Sequence, residues 1–173
     1  TTFFVDPYMR EENHQYAQLA AKYGEIGAIV DIGYKASEKD TVNQLMDKET
    51  QANNLIAAKD TLESIVGEEV SGFMPLYGFY NKATKQAMTK AGYDYLVTDS
   101  LTDRSVPNME IWGDSKLIFI TNTARDDDRI INQFGLKQKN FQEFTYKEDI
   151  DRLNFEGGLY VMKVHSQFQM KPQ

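Results

Sequence analysis

Short runs rich in β-branched and aromatic residues alternate with amphipathic stretches along the chain, and this alternation limits the fold more than any other feature. Each run is too short for a buried helix and is bounded by Gly, Asp or Pro. The six runs are Thr1 to Val5, Ile26 to Ile32, Val70 to Met74, Tyr93 to Thr98, Lys116 to Thr121 and Leu159 to His165. The pattern predicts βα units around a mainly parallel sheet, and therefore an α/β fold.

Helices are expected between these strands, because apolar residues recur there at helical spacing. The chain offers a good N-cap at Asn81 and glycine stops at Gly67 and Gly92. The predicted helices run from Glu11 to Tyr23, from about Asp40 to Val66, from Asn81 to Ala91 and from roughly Asp126 to Gln133. No internal repeat or linker composition interrupts the pattern, so a single domain covering residues 1–173 is expected.

Composition excludes several classes of protein. The chain has 173 residues and a formal net charge of −7, and its 19 basic residues form no cluster suited to nucleic acid or an anionic membrane. It has no cysteine, hence no disulfide framework and no thiolate chemistry. No stretch approaches the roughly 20 apolar residues that a membrane span needs.

The segment "SGFMPLYGFYN", Ser71 to Asn81, holds a proline, two glycines and four large aromatic residues. It follows the third predicted strand and precedes the helix that Asn81 caps. Sites in α/β folds are built at strand carboxyl ends, where helix N-termini also offer free N–H groups. A Pro and Gly turn with packed aromatic residues is also ordinary architecture, so position favours a site here without establishing one.

The stretch "VSGFMPLYGFYNKATKQAMTKAGYDYLVTDS" resembles the NodB-type polysaccharide deacetylases of carbohydrate esterase family four. Members carry an Arg-Pro-Pro-Tyr-Gly loop followed by a helix that ends in Ala-Gly-Tyr. Three further segments, "TTFFVD", "YGEIGAIVDIGYKASEKDT" and "LYVMKVHS", resemble other family motifs in the same order, so the resemblance spans nearly the whole chain. It implies a distorted (β/α) barrel-like fold, here expected to lack the family's first strand.

The resemblance also implies which residues would form a site. Family members hold a divalent metal, typically zinc, with an Asp and two His, and a further Asp and a last-strand His act as base and acid. At the two ligand His positions this chain has Ile29 and Gly33, and Met74 replaces the arginine that orients the catalytic Asp. The residues that stay in register with the loop motif are Pro75, Tyr77 and Gly78.

His165, at the end of the last predicted strand, matches the family's acid, although a strand-end histidine can also serve only to hydrogen-bond its neighbours. A catalytic zinc takes three protein ligands, and this chain has only two histidines, His14 and His165. We therefore expect no metal site and no cofactor. Asp31 and Asp99, both at strand ends, either face the same cleft or form turns, and "RDDDR" at Arg125 to Arg129 is interpreted as a helix start.

Three functions remain open. The favoured one is a degenerate deacetylase-like domain, possessing a groove for an acetylated polysaccharide or oligosaccharide but no metal-dependent hydrolysis of its own. Its groove would be lined by Tyr77, Tyr80, Trp112 and His165, and the tyrosine backbone N–H would remain available as an oxyanion donor. The alternatives are an active deacetylase completed by residues outside this chain, and a structural or partner-binding module whose aromatic residues only pack. The resemblance implies an extracytoplasmic domain of a longer protein, a location that the residues themselves do not determine.

Overall fold

The computed structural model describes residues 1–33, 35–37, 40–76, 78–98 and 107–164, with the backbone alone for 35–37 and 40–44. These residues form two compact units. The first unit comprises residues 1–98 and 108–119, and the described part of the second unit is Pro107 and residues 120–164.

The secondary structure alternates between strands and helices, with a 3-10 helix at Glu11–Asn13 and a π-helix at Arg129–Gln133. The strands are β1 (Thr2–Val5), β2 (Glu25–Val30), β3 (Lys35–Ser37), β4 (Asp40–Gln44), β5 (Gly72–Pro75), β6 (Tyr95–Thr98), β7 (Asn108–Trp112) and β8 (Ser115–Thr121). The helices are α1 (His14–Ala21), α2 (Lys48–Val66), α3 (Lys82–Ala91) and α4 (Lys139–Glu156).

Six strands form one sheet in the order β1-β2-β5-β6-β8-β7. The pairs β1–β2, β2–β5 and β5–β6 are parallel, whereas β7 and β8 form an antiparallel hairpin. The predicted α/β class with a mainly parallel sheet is confirmed. The described strands leave β1 and β7 as free edges, so this sheet is open and not a closed barrel.

The core of the first unit joins the sheet to its helices. The strands contribute alternate side chains and the helices contribute one apolar face each, as the sequence pattern predicts. Fully or almost fully buried members include Ile26, Ala28, Val30, Phe73, Leu96 and Leu117 from strands, and Leu55, Leu62, Ala87 and Met88 from helices. Burial of the strand members favours this register, because a slip by one residue would turn each of them to the opposite face of the sheet.

The two longest helices of the first unit begin at side-chain caps. In α3, Asn81 and Thr84 form a reciprocal capping box and Gly92 ends the helix at φ 74°, which confirms the predicted bounds. The expected helix start at Asp40 is wrong, because Asp40–Gln44 is strand β4, paired with β3. The helix starts after Asp47, whose carboxylate accepts the N–H groups of two first-turn residues.

In the second unit, α4 packs on the chain that follows β8. The strand expected from Leu159 to His165 is not found over residues 159–164, and His165 lies outside the described residues. That segment is instead held by Thr123, whose hydroxyl donates to the Leu159 carbonyl at 2.7 Å and accepts the Val161 N–H at 2.8 Å. Within the described ranges, no helix is long and apolar enough to cross a membrane.

Candidate functional site

The carboxyl ends of four parallel strands meet at one edge of the sheet, which is where the sequence predicts a site. Val30 of β2 and Pro75 of β5 are paired in register at this edge. Asp31 follows directly after β2, and Gly78 and Tyr80 follow after β5. The loop singled out by its composition therefore begins at the strand end where it was expected.

Asp31 builds a turn at this edge. Its Oδ1 accepts the Gly33 N–H at 2.8 Å, and its carbonyl accepts the Asn54 side chain at 3.3 Å. Gly33 has a φ of 94°, and a Cβ at this position would collide with Met46. Position 33 therefore has no room for a side chain, and the turn reading of Asp31 fits its contacts.

The backbone of the loop continues the strand pairing before it turns. The Leu76 N–H donates to the Val30 carbonyl at 3.0 Å, and the Gly78 N–H donates to the Pro75 carbonyl at 2.9 Å. Gly78 has a φ of 74°, which favours glycine. Three predicted site residues, Tyr77, Asp99 and His165, lie outside the described residues, so the candidate oxyanion donor and acid are not placed.

Tyr80 and Trp112 do come together, around a lysine that sequence reasoning missed. The Lys85 Nζ lies 5.8 Å from the Tyr80 ring centre, 5.7 Å from that of Trp112 and 4.7 Å from that of Phe119. It also binds both carboxylate oxygens of Glu110, at 2.6 and 2.8 Å. We call these five residues the Lys85 cluster.

The charge of Lys85 in this cluster is balanced by that of Glu110. The Trp112 Nε1–H donates to Glu110 at 2.8 Å, and the bond from Lys85, followed by that from Trp112, lowers the pKa of the Glu110 carboxyl. Tyr80 stacks on Phe119 with ring centres 5.7 Å apart. Tyr80 and Trp112 remain half-buried, so each retains surface for a further contact.

Lys85 and Glu110 were missed because nothing local marks them. Their meeting depends on the hairpin, in which Glu110 and Trp112 lie two positions apart on β7 and so project from the same face. Strand alternation in "NMEIW" was the available signal for the Glu110 and Trp112 side chains.

A family model for polysaccharide deacetylases matches residues 1–96, which is more than half of the 173 residues. The chain belongs to the polysaccharide deacetylase family. The match covers β1 through β5 and reaches into β6, and it includes the carboxyl ends of β1, β2 and β5.

Solved structures agree on the fold of this family member. A candidate polysaccharide deacetylase from Mycobacterium smegmatis is 21% identical with a TM-score of 0.71, and the alignment covers 95% of this chain and 57% of that chain. Puue allantoinase is 20% identical with a TM-score of 0.66, covering 94% and 52%. A candidate polysaccharide deacetylase from Pseudomonas aeruginosa PAO1 is 19% identical with a TM-score of 0.62, covering 89% and 49%. The chain thus spans about half the length of these structures, and no match was found among curated proteins.

The divalent metal implied by the family does not fit the described residues at this edge. Ile29 is half-buried on β2 opposite Met74, and neither side chain suits a hard or borderline cation. Gly33 offers no donor and no space for one. Across the part of the chain that the structure describes, no group of three or more His, Cys, Asp or Glu side chains is arranged to hold a metal ion.

The aspartates of "RDDDR" serve the helix start that the sequence predicts. Asp127 and Asp128 begin the helical turn, and the Asp126 Oδ1 accepts the Arg129 N–H at 2.7 Å. The arginines of this motif face a polar pocket of the second unit, described below.

Proposed function

We propose that this chain is a degenerate polysaccharide deacetylase-like domain that binds a glycan and has no metal-dependent hydrolysis of its own. The observation that carries the proposal is the pair of Ile29 and Met74, which stand side by side on β2 and β5. They occupy the motif positions at which family members have a ligand histidine and an orienting arginine. We also propose that both units belong to one such domain, residues 1–173, of a longer extracytoplasmic protein.

The loss of metal chemistry is supported by space as well as by residue type. Position 33, the second ligand position of the motif, lies against Met46 in a backbone conformation that favours glycine. A water activated by a metal is the nucleophile of such hydrolysis, and these residues supply no donors for the metal. His165 would then have no attacking water to assist.

Glycan binding is supported by the chemistry of the Lys85 cluster and the nearby loop. Sugars bind to aromatic faces flanked by carboxylates and backbone polar groups. Tyr80 and Trp112 offer half-buried rings beside Glu110, and Pro75, Gly78 and Asp31 form the strand-end edge. The family motif adds Tyr77 to the proposed groove, which would accept an acetylated oligosaccharide.

The binding test uses Trp112, the only tryptophan of the chain, as its reporter. Acetylated chito-oligosaccharides should change Trp112 fluorescence saturably, and Tyr80→Leu should weaken binding about tenfold through loss of a ring contact. Tyr23→Leu is the matched control, because Tyr23 is an exposed tyrosine of the same unit. Absence of binding by the folded chain would favour the structural or partner-binding alternative.

The hydrolysis test measures acetate release from the same oligosaccharides over a series of added divalent metals, with zinc content determined after dialysis. The expected result is neither acetate release nor stoichiometric zinc. Metal-dependent acetate release by the unmodified chain would overturn the proposal and support an active deacetylase with an altered site.

A further inference from the structure

The second unit contains a pocket of about 490 Å³ that the proposed function does not use. It lies between α4 and the chain that follows β8, and its volume is in the range of small-ligand sites. Seven of its eight lining residues have polar or charged side chains, and the eight are Asn122, Thr123, Ala124, Arg125, Arg129, Glu148, Asp149 and Arg152. Three arginines and two acidic residues therefore line one small volume.

Both carboxylates of the lining are bound by one arginine. The Arg125 Nε donates to both oxygens of Asp149 at 3.1 Å, and the Arg125 backbone N–H adds a bond to Asp149 Oδ2 at 2.8 Å. The Arg125 Nη2 reaches Glu148 Oε2 at 2.6 Å. The Arg125 side chain is therefore used for bonds within the protein. The other two arginines determine which ligand the pocket binds.

Arg152 is partly committed. Its Nη1 donates to Glu156 at 3.0 Å and its Nη2 donates to the Thr123 carbonyl at 2.9 Å. These two bonds orient its guanidinium at the pocket wall while leaving some of its five N–H groups free. Arg152 can therefore bind a ligand while it keeps its bonds to Glu156 and Thr123.

Of the three lining arginines, Arg129 has the guanidinium that is most available to a ligand. It is half-buried, and within the described residues its guanidinium makes no hydrogen bond or ion pair, although its backbone N–H is bound by Asp126. The nearby Asp128 is occupied as well, since its Oδ1 accepts the Asn132 side chain at 2.7 Å. A partly desolvated guanidinium facing a polar pocket is a binding group for an anion, because its planar fork matches carboxylate and phosphate oxygens.

We propose that this pocket binds a small oxyanion group, a carboxylate or a phosphate, with Arg129 as its principal ligand and Arg152 as the second. This proposal is independent of the glycan groove in the first unit and survives if that groove binds nothing.

The experiment titrates the whole chain at low ionic strength with glucuronate and with inorganic phosphate, using glucose as the neutral control, and follows binding by calorimetry and by amide shifts. One or both anions should bind and glucose should not, and the preferred anion identifies the source of the oxyanion. Arg129→Gln should weaken binding about tenfold, the value of one lost charge-assisted contact.

The matched control is Arg10→Gln, which removes the same charge from an exposed arginine of the first unit. It should leave the affinity unchanged, and Arg129→Gln should leave the thermal unfolding midpoint unchanged because its guanidinium holds nothing within the described structure. Equal weakening by both substitutions would reveal a general charge effect and overturn the proposal. So would an absence of binding by both anions, or an Arg129→Gln chain that binds as well as the unmodified one.

Discussion

Each of the two units contains a partly buried ion pair that links two elements, and the surroundings of these two pairs differ. Lys85 and Glu110 join α3 to β7 amid three aromatic rings. Arg125 and Asp149 join the chain after β8 to α4 amid other polar groups. The side chain of Glu110 is 31% exposed, whereas that of Asp149 is 5% exposed.

This difference in exposure indicates which ion pair contributes more to the stability of its unit. Glu110 retains access to water, so its loss leaves an ammonium that the rings and solvent still stabilise. Asp149 accepts three hydrogen bonds from two N–H groups of Arg125 in a nearly dry position, so its loss leaves these donors without their acceptor. We therefore expect the polar pair to carry more stability than the aromatic one.

The largest expected effect is that of Asp149→Asn. Removing one member of a nearly buried pair should lower the free energy of unfolding by about 3 kcal/mol, since Arg125 is left without its main counter-charge. The loss should be measured by amide hydrogen exchange in α4. Trp112 fluorescence, which reports on the first unit, should keep its denaturant midpoint.

Asp151→Asn is the matched control for this change, because Asp151 is an exposed residue of the same helix. It should leave exchange in α4 unaltered. An equal fall in the Trp112 midpoint with Asp149→Asn would contradict the comparison, since it would mean that the two units unfold together.

A smaller effect is expected for Glu110→Gln. The neutral amide retains an acceptor for Trp112 but loses the charge that faces Lys85, so the free energy of unfolding should fall by about 1–2 kcal/mol. Denaturant unfolding followed by Trp112 fluorescence is the measurement, and Glu68→Gln, at an exposed site of the same unit, is the control. A loss as large as that of Asp149→Asn would refute the ranking of the two pairs.

The contribution of Glu110 to the free energy of unfolding should also depend on pH. The pH effect should be no larger than the effect of Glu110→Gln, which removes the charge. Its pKa in the folded state lies below the usual 4.5, chiefly because of the bond from Lys85. The stabilisation is therefore fully present above the unfolded-state pKa and is lost as the pH falls through the lower folded value. The stability difference between the unmodified chain and Glu110→Gln should vanish at low pH, and a difference that persists there would exclude charge as its source.

How far the sequence predicts this molecule depends on whether local residues carry the signal. Helix α3 was predicted at both ends, because Asn81 and Gly92 are strong cap residues and both act as caps. The start of α2 was misplaced, because the apolar stripe extends back through Val42 and only the cap at Asp47 marks the first turn. An apolar stripe indicates which face of a helix is buried, whereas a cap residue indicates where the helix begins or ends.

Helix α4 and the aromatic ion pair escaped prediction for different reasons. Gln138 makes no side-chain cap for α4, and exposed Phe144 and Phe155 blur its apolar face. Tyr80 and Trp112 were proposed as neighbours through the family resemblance, and they share one cluster. Lys85 joins them only through tertiary packing, which no sequence period encodes.

The smallest expected effect belongs to a third ion pair, which is exposed to solvent and lies within one helix. Glu143 and Lys147 lie on α4, four residues apart, with their charged atoms 2.8 Å apart, yet their side chains are 59% and 68% exposed. The pKa of Glu143 is lowered by the bond from Lys147, but water screens both charges and competes for the same hydrogen bond. Glu143→Gln should therefore leave hydrogen exchange in α4 unchanged within error, at low and at high salt. Glu143 and Asp149 lie on the same helix and both face a basic partner at short range, but Asp149 is buried and bound to a residue outside α4, whereas Glu143 is exposed and pairs within the helix. A loss of protection comparable to that of Asp149→Asn would show that proximity of charge, and not removal from water, is what stabilises α4.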